Sequence, residues 1–405
     1  MRAPKPITAL RGAVVLMVLW QVAATALVSV DYYDGYEAMQ NARYWLGDAT
    51  SYRPARWPFT AIVALPSEWL RPTLSLHPLD PRVDHVASGV LHAGTLVAVA
   101  LMLSRRCGAT WATVAAFIAA IPTYVYFSYA PFLSNDIAPG ALLLAMVITC
   151  EDFLEPRGAP RARTFLTLVG LGATAALIKP SLGVFWLSIL CAAGATALSL
   201  PSAERRPRLA RVTMLLAGAS LSGALYWIVC GVALPAELGH TFWIRPFHQL
   251  QTLAGSISAE QPPAWLYLRN LPAYGVAAGL GIIPGLVLSW RAGSVGRLAA
   301  LTWLGCLVVM QLYVQREVRY LAFLAPTTAL LLVPRSSGSR DEEAARSPAQ
   351  RSSWCRSCRS FRSRHSTRPR RSPRPHTVST SWPRWSNRWG SVRHANDRSR
   401  SWVAA

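Results

Sequence analysis

Residues 297–334 read RLAALTWLGCLVVMQLYVQREVRYLAFLAPTTALLLVP, two apolar runs parted by the polar turn Gln315-Arg-Glu-Val-Arg-Tyr320. A helix needs about 20 apolar residues to cross the hydrocarbon core of a bilayer. Runs near that length recur upstream at about 12–30, 85–104, 109–127, 133–150, 164–178, 181–200, 212–234 and 271–290, which with 297–314 and 319–334 makes ten. Several contain Gly or Pro, as in Gly281-Ile-Ile-Pro284-Gly285. Membrane helices tolerate these residues because neighbouring helices re-satisfy the backbone. The spacings Gly275/Gly279 and Gly281/Gly285 predict close helix packing. The sequence therefore predicts an all-α, polytopic transmembrane helical bundle of about ten spans, with a long outer loop after the first.

Composition leads to the same class. Of 405 residues, 52% are hydrophobic and only 15% charged, against about 25% charged in an ordinary soluble domain. The formal charge of +22 has two sources. Residues 335–405 hold 17 arginines against four acids, a net of +13, and residues 1–334 hold 24 basic residues against 15 acids, a net of +9. In the first region the arginines alternate with the runs. Arg2, Lys5 and Arg11 lead the first span, and Arg105/Arg106, Arg157/Arg161/Arg163, Arg205/Arg206/Arg208/Arg211 and Arg291/Arg297 fill every second short connection. Positive charge gathers on the cytoplasmic side, so the N-terminus reads as inside and segments 31–84 and 235–270 as outside. The first run has roughly 19 apolar residues, longer than a secretory-signal core of about 7–15, and reads as an uncleaved anchor. The basic excess thus reflects topology and contact with membrane lipid, with no nucleic acid as partner.

Residues 335–405 form a separate region of Arg, Ser, Pro and Trp, with 17 serines and five tryptophans but no lysine. Such a composition cannot bury a core. It reads as a basic arm for anionic lipid or nucleic acid, as a disordered tail, or as translation in a shifted frame. The absence of lysine and the wealth of Trp favour the last. Cys355-Arg-Ser-Cys358 is a lone CxxC and a weak metal or redox signal. The cysteines of residues 1–334 (Cys107, Cys150, Cys191, Cys230, Cys306) have no paired spacing and read as small apolar packing residues.

The costly polar groups gather on the outer side. After the first span the chain reads Asp31-Tyr-Tyr-Asp34-Gly-Tyr-Glu37-Ala-Met-Gln-Asn-Ala-Arg43-Tyr-Trp-Leu-Gly47. Its three carboxylates amid aromatics are either solvated acids in an interfacial loop or a catalytic base in an aromatic-walled site. Asp136 opens the fourth span, where an ionisable residue is a functional candidate or merely solvated. Lys179, in the outer turn between the fifth and sixth spans, either snorkels or binds an anion. Arg316, Glu317 and Arg319 make the outer turn before the last span, an interfacial charged turn or a phosphate clamp. A transporter places such groups nearer the midplane. Clustering at one face fits chemistry on a lipid head group.

At these residues the chain resembles the GT-C superfamily of membrane glycosyltransferases, closest to the mannosyltransferases of asparagine-linked-glycan and GPI-anchor assembly. Tyr32-Tyr33-Asp34-Gly35-Tyr36-Glu37-Ala38-Met39-Gln40, with Gly47 following, is similar to that branch's acidic motif and the helix after it. Asp34 is kept while the His-Pro and adjacent Glu of the motif are not. Gln315-Arg316-Glu317-Val318-Arg319-Tyr320, running on to Pro326, is similar to its His-Lys-Glu-x-Arg-Phe turn. Ser134-Asn135-Asp136 and Lys179-Pro180 resemble features of bacterial protein O-mannosyl and lipid A aminoarabinose transferases. The resemblance spans about residues 12–334. It implies inverting transfer of a sugar from a polyprenyl-phosphate donor to a glycan, lipid or protein acceptor at the outer face of a bacterial inner membrane. Under it, Asp34 is the base, with Asp31 the alternative. Arg316, Arg319 and Lys179 hold the phosphate, while Asp136, Glu37 and Glu317 complete the substrate site. Trp243, Arg245, His240 and His248 would cover it. No metal or cofactor is required. A transporter or flippase of lipid-linked sugars, or a non-catalytic membrane relative, stands as the alternative.

Overall fold

The computed structural model describes residues 5–27, 33–52, 58–74, 80–122, 138–155, 162–179, 183–238, 241–255, 265–270, 276–312 and 318–334. All belong to the unit Met1–Arg340. The described elements are helices: α1 (Pro6–Leu27), α2 (Tyr33–Trp45), α3 (Pro58–Leu70), α4 (Arg82–Cys107), α5 (Trp111–Ala120), α6 (Ala138–Leu154), α7 (Ala162–Ile178), α8 (Val184–Leu198), α9 (Ser202–Ala233), α10 (Ile244–Gly255), α11 (Leu266–Asn270), α12 (Val276–Arg291), α13 (Ser294–Leu312) and α14 (Ala325–Leu332). A 3₁₀ segment, Val318–Leu324, leads into α14. The described part of each apolar run falls mainly on helix. Those in α1, α4 and α9 are long and apolar enough to cross a membrane, while the other apolar helices are shorter.

α4 shows what medium these helices suit. Its buried side carries Asp84, His85, Ser88, His92 and Thr95, while Val86, Val90, Val97 and Leu101 are exposed. That is polar inside and apolar outside. α9 likewise turns Leu216, Leu221, Leu225, Ile228 and Val232 outward. Such faces are costly in water and favourable against hydrocarbon.

The centre of the bundle is α14, whose residues Ala325–Leu331 are all buried. It packs against α5, α6, α12 and α13. The run expected as one last span is divided, because Pro326 sits in the first turn of α14 and lacks an N–H to extend a preceding helix. Seven 3₁₀ residues at about 2.0 Å and eight α-helical ones at about 1.5 Å still cover about 26 Å. Trp303 of α13 donates its indole N–H to Thr328 Oγ1 at 2.9 Å, and Thr328 donates to the Leu324 carbonyl at 2.8 Å. The expected glycine packing is present at Gly281 and Gly285. A Cβ there would lie 2.8 Å from Leu332 Cδ2 and 3.2 Å from the Leu331 carbonyl oxygen respectively. Gly275 lies outside the described residues.

Ion pairs and caps give the bundle two distinct ends. Arg106, at the end of α4, binds Glu151 (2.5 Å) and Asp152 (2.7 Å) at the end of α6, so α4 and α6 run in the same direction. From the first turns of α9, Arg208 donates to the Leu154 carbonyl, and Arg211 donates to those of Phe153 (3.0 Å) and Glu155. Arginines thus close the carbonyl-rich end of α6, where cations are favoured. At the opposite end lie the start of α4 with Asp84, the start of α6, and the 3₁₀ segment on which it packs. Three of the expected inward-facing arginines (Arg106, Arg208 and Arg211) therefore share one end.

Candidate functional site

α2 and α3 lie in the segment expected as the long first outer loop, where the sequence pointed to a helix only in the stretch ending at Gly47. α2 places Asp34 in its first turn, where a carboxylate is favoured by the helix dipole. Its end is fixed by Gly47, at φ +110°, a left-handed value that costs glycine nothing. There Asp48 N–H donates to the Arg43 carbonyl and Gly47 N–H to that of Tyr44, both at 3.0 Å, a Schellman closure. Asp48 then caps the short turn Ala49–Ser51, accepting from Thr50 N–H at 3.1 Å and Thr50 Oγ1 at 2.7 Å. Hydrogen bonds from Ser51 and Thr50 hold its carboxyl below the usual range. Asp34 and Glu37 stand three residues apart on α2. Glu37 is buried, as are Met39 and Asn41.

A chain of ions fastens this helix. Arg43 of α2 reaches Glu68 of α3 with Nε at 2.9 Å and Nη2 at 3.4 Å. Glu68 also faces Arg71 at 3.2 Å, and Arg71 pairs in turn with Asp84 at the start of α4. Arg71 further donates to the Asp80 carbonyl, and its Nη2 lies 3.5 Å from Met39 Sδ. Glu68, Arg71 and Asp84 are all buried. Buried charges hold only when paired, and this arrangement pairs them across three helices. Asp80, in the connection before α4, is clamped by Arg82, and that contact draws its carboxyl down to about 2.

A second group forms around Lys179. Its ammonium sits 5.7 Å from the centre of the Phe323 ring, within cation–π range. Phe323 stands edge-on to Phe185 at 6.2 Å. Gly140, at the start of α6, meets the same segment. A Cβ there would approach Pro326 Cδ at 2.9 Å and the Ala322 and Phe323 carbonyl oxygens at 3.0 Å. α3, which carries Glu68, packs on α7, whose end leads to Lys179. A third, aromatic group pairs Tyr44 with Tyr52 at 5.2 Å. Burial raises both phenols, with the Glu237 carboxylate adding to the rise at Tyr44.

Of the residues expected from sequence, Glu37 is buried on α2 and Lys179 belongs to the second group. Arg319 lies within the 3₁₀ segment beside Phe323, its side chain outside the described set, as is that of Asp34. Asp31, Asp136, Arg316, Glu317 and His240 lie outside the described residues. Trp243 and His248 are exposed. Arg245, expected as a cover, instead donates to the Gly231 and Leu234 carbonyls at 3.2 Å and closes the end of α9. The sequence reading missed Glu68, Arg71, Asp84, His85 and His92. The signal was available in the second half of that loop. Glu68 and Arg71 stand at helical i, i+3 spacing, and Asp84, Ser88 and His92 repeat every four residues into an apolar run.

No protein-family model matches the chain, and no curated protein matches its sequence. Among solved structures it is similar to ArnT from Cupriavidus metallidurans. For the apo state the TM-score is 0.55 at 17% identity, covering 79% of this chain and 57% of that one. For the form bound to undecaprenyl phosphate it is 0.58 at 14% identity, covering 80% and 59%. The described residues are helical, their fold resembles that of ArnT, and the chain spans less than two thirds of ArnT's length.

Proposed function

We propose that the protein is a membrane glycosyltransferase that moves a sugar, with inversion, from a polyprenyl-phosphate donor to a lipid-linked or protein acceptor at the outer face. The observation that carries this reading is spatial. The acid-bearing helix α2 is fastened to the same end of the bundle at which Lys179 meets the segment containing Arg319. The likeness to ArnT, an aminoarabinose transferase of GT-C fold with a structure bound to undecaprenyl phosphate, supports a polyprenyl-phosphate partner. The turn Gln315–Tyr320 supports a mannose-like hexose. That end then faces outward and the Arg106 end faces the cytoplasm of a bacterial inner membrane, as positive-inside charge requires.

In this reading Asp34 takes the proton of the acceptor hydroxyl. The hydroxyl oxygen attacks the anomeric carbon as the bond to the phosphate oxygen breaks on the opposite face. The pair of electrons leaves with the polyprenyl phosphate. Lys179, Arg316 and Arg319 stabilise the charge that develops there, and need only be in place before it forms. Glu37, Glu317 and Asp136 are assigned to the sugar and acceptor, and Asp31 is the alternative base. The test is Asp34→Asn in membranes supplied with a panel of polyprenyl-phosphate sugars. Loss of transfer by at least about 100-fold, at undiminished expression, is expected. Full transfer would remove Asp34 from this role.

A further inference from the structure

We propose that Arg71 is a positioning residue for this reaction, holding α2 and its acids Asp34 and Glu37 in register against α3 and α4. The inference rests on the transferase reading for its consequence, but on geometry for its substance. Three features single out Arg71. It is buried, with only 3% of its surface exposed, although an arginine near the start of a polar loop could readily reach water. One guanidinium addresses three separate parts of the chain: Glu68 of α3, Asp84 of α4, and the carbonyl of Asp80 in the connection before α4. It also touches α2 through Met39 Sδ, while Glu68 passes the link on to Arg43 of α2. The planar five-donor fork of arginine suits such branching, and the point charge of lysine does not.

α2 also packs along α3. Its apolar contacts with α3 form a small cluster, Ala38, Met39, Ala42 and Ala64, with Tyr36 and Leu65 beside it. Apolar contact of this kind is non-directional. The ion chain Arg43–Glu68–Arg71–Asp84 adds a directional tie that sets how α2 is turned against α3 and α4. A misplacement of about 1 Å at a reacting carboxylate is enough to cost roughly 100-fold in rate.

The experiment pairs a structural readout with a kinetic one, on the full chain in lipid nanodiscs. The variants are Arg71→Lys, which keeps the charge but loses the fork, and Asp84→Asn, which keeps the shape but removes the partner charge. Hydrogen–deuterium exchange of residues 36–45 should quicken by about 10-fold or more in both, with exchange in Ala138–Leu154 unchanged. Transfer from polyprenyl-phosphate sugars should then fall at least 10-fold in kcat, with the donor KM unmoved. Unaltered exchange in 36–45 would overturn the proposal. So would quickened exchange with full kcat. A raised donor KM at normal kcat would also overturn it, since Arg71 would then contact the donor phosphate itself. If the unaltered protein transfers nothing from any donor, the transferase reading fails. The exchange arm still decides the anchoring, because faster exchange confined to α2 supports it and unchanged exchange refutes it.

Discussion

Gly140→Ala offers a direct trial of how the helices meet at the candidate site. Inside a helix, alanine is favoured over glycine by about 0.5–1 kcal/mol, so on propensity alone the variant should be more stable. Packing opposes this. The new Cβ would lie 2.9 Å from Pro326 Cδ and 3.0 Å from the carbonyl oxygens of Ala322 and Phe323. None of these neighbours can swing away, since two are backbone atoms and the third belongs to a proline ring. Overpacking a dense site costs about 1–3 kcal/mol, and a rigid one sits towards the upper end of that range. The packing cost outweighs the propensity gain, leaving a net loss of about 1–2 kcal/mol. Gly94→Ala is the matched control, because in α4 a Cβ at Gly94 meets nothing within 4 Å. It should gain about 0.5–1 kcal/mol. Unfolding followed by tryptophan fluorescence in mild detergent should place Gly140→Ala below wild type and Gly94→Ala above it. Under the proposed function, Gly140→Ala should also slow transfer, because it pushes α6 away from the segment that carries Arg319. A Gly140→Ala protein as stable as Gly94→Ala would refute the close approach of α6 to residues 322–326.

At the other end of the bundle, Arg106→Met should cost about 3–5 kcal/mol by leaving Glu151 buried without its partner. The double variant with Glu151→Gln should recover most of the loss in the same unfolding assay, and a single variant within about 1 kcal/mol of wild type would count against the pair. Asp80 should show in the acid dependence of stability. Its folded carboxyl is held down near 2 by Arg82, below the usual 3.9 or so of an unfolded chain. Its contribution is therefore present above about pH 4 and is lost as pH falls towards 2. The unfolding midpoints of wild type and Asp80→Asn should converge over that window, and a gap that persists down to pH 2 would exclude the Asp80–Arg82 clamp as its source.

How far the fold could be read from sequence follows from what enforces each part. The apolar runs were legible because hydrocarbon imposes one simple demand, that each span satisfy its own backbone, and length alone reports it. The break at Pro326 was visible as a residue. Its effect was not, because whether a proline kinks a helix or starts one depends on the packing around it. The turn arginines were read as setting topology. The structure adds a second, local use, since Arg208 and Arg211 close the last carbonyls of α6 while Arg106 neutralises Glu151. On the topology expected from the sequence, one set of charges serves both insertion and packing, and only the first use leaves a pattern in the sequence. The site divides in the same way. Glu37 was singled out because three carboxylates cluster after the first span, and Lys179 because a lone lysine at a helix turn is conspicuous. Glu68, Arg71 and Asp84 were passed over because they lie in a polar loop, where charge is the ordinary case. Their importance arises only when α3 and α4 fold together and bury them. What the sequence conceals is therefore the charge that becomes costly only after folding, and Arg71, the most connected of these residues, is where that cost can be measured.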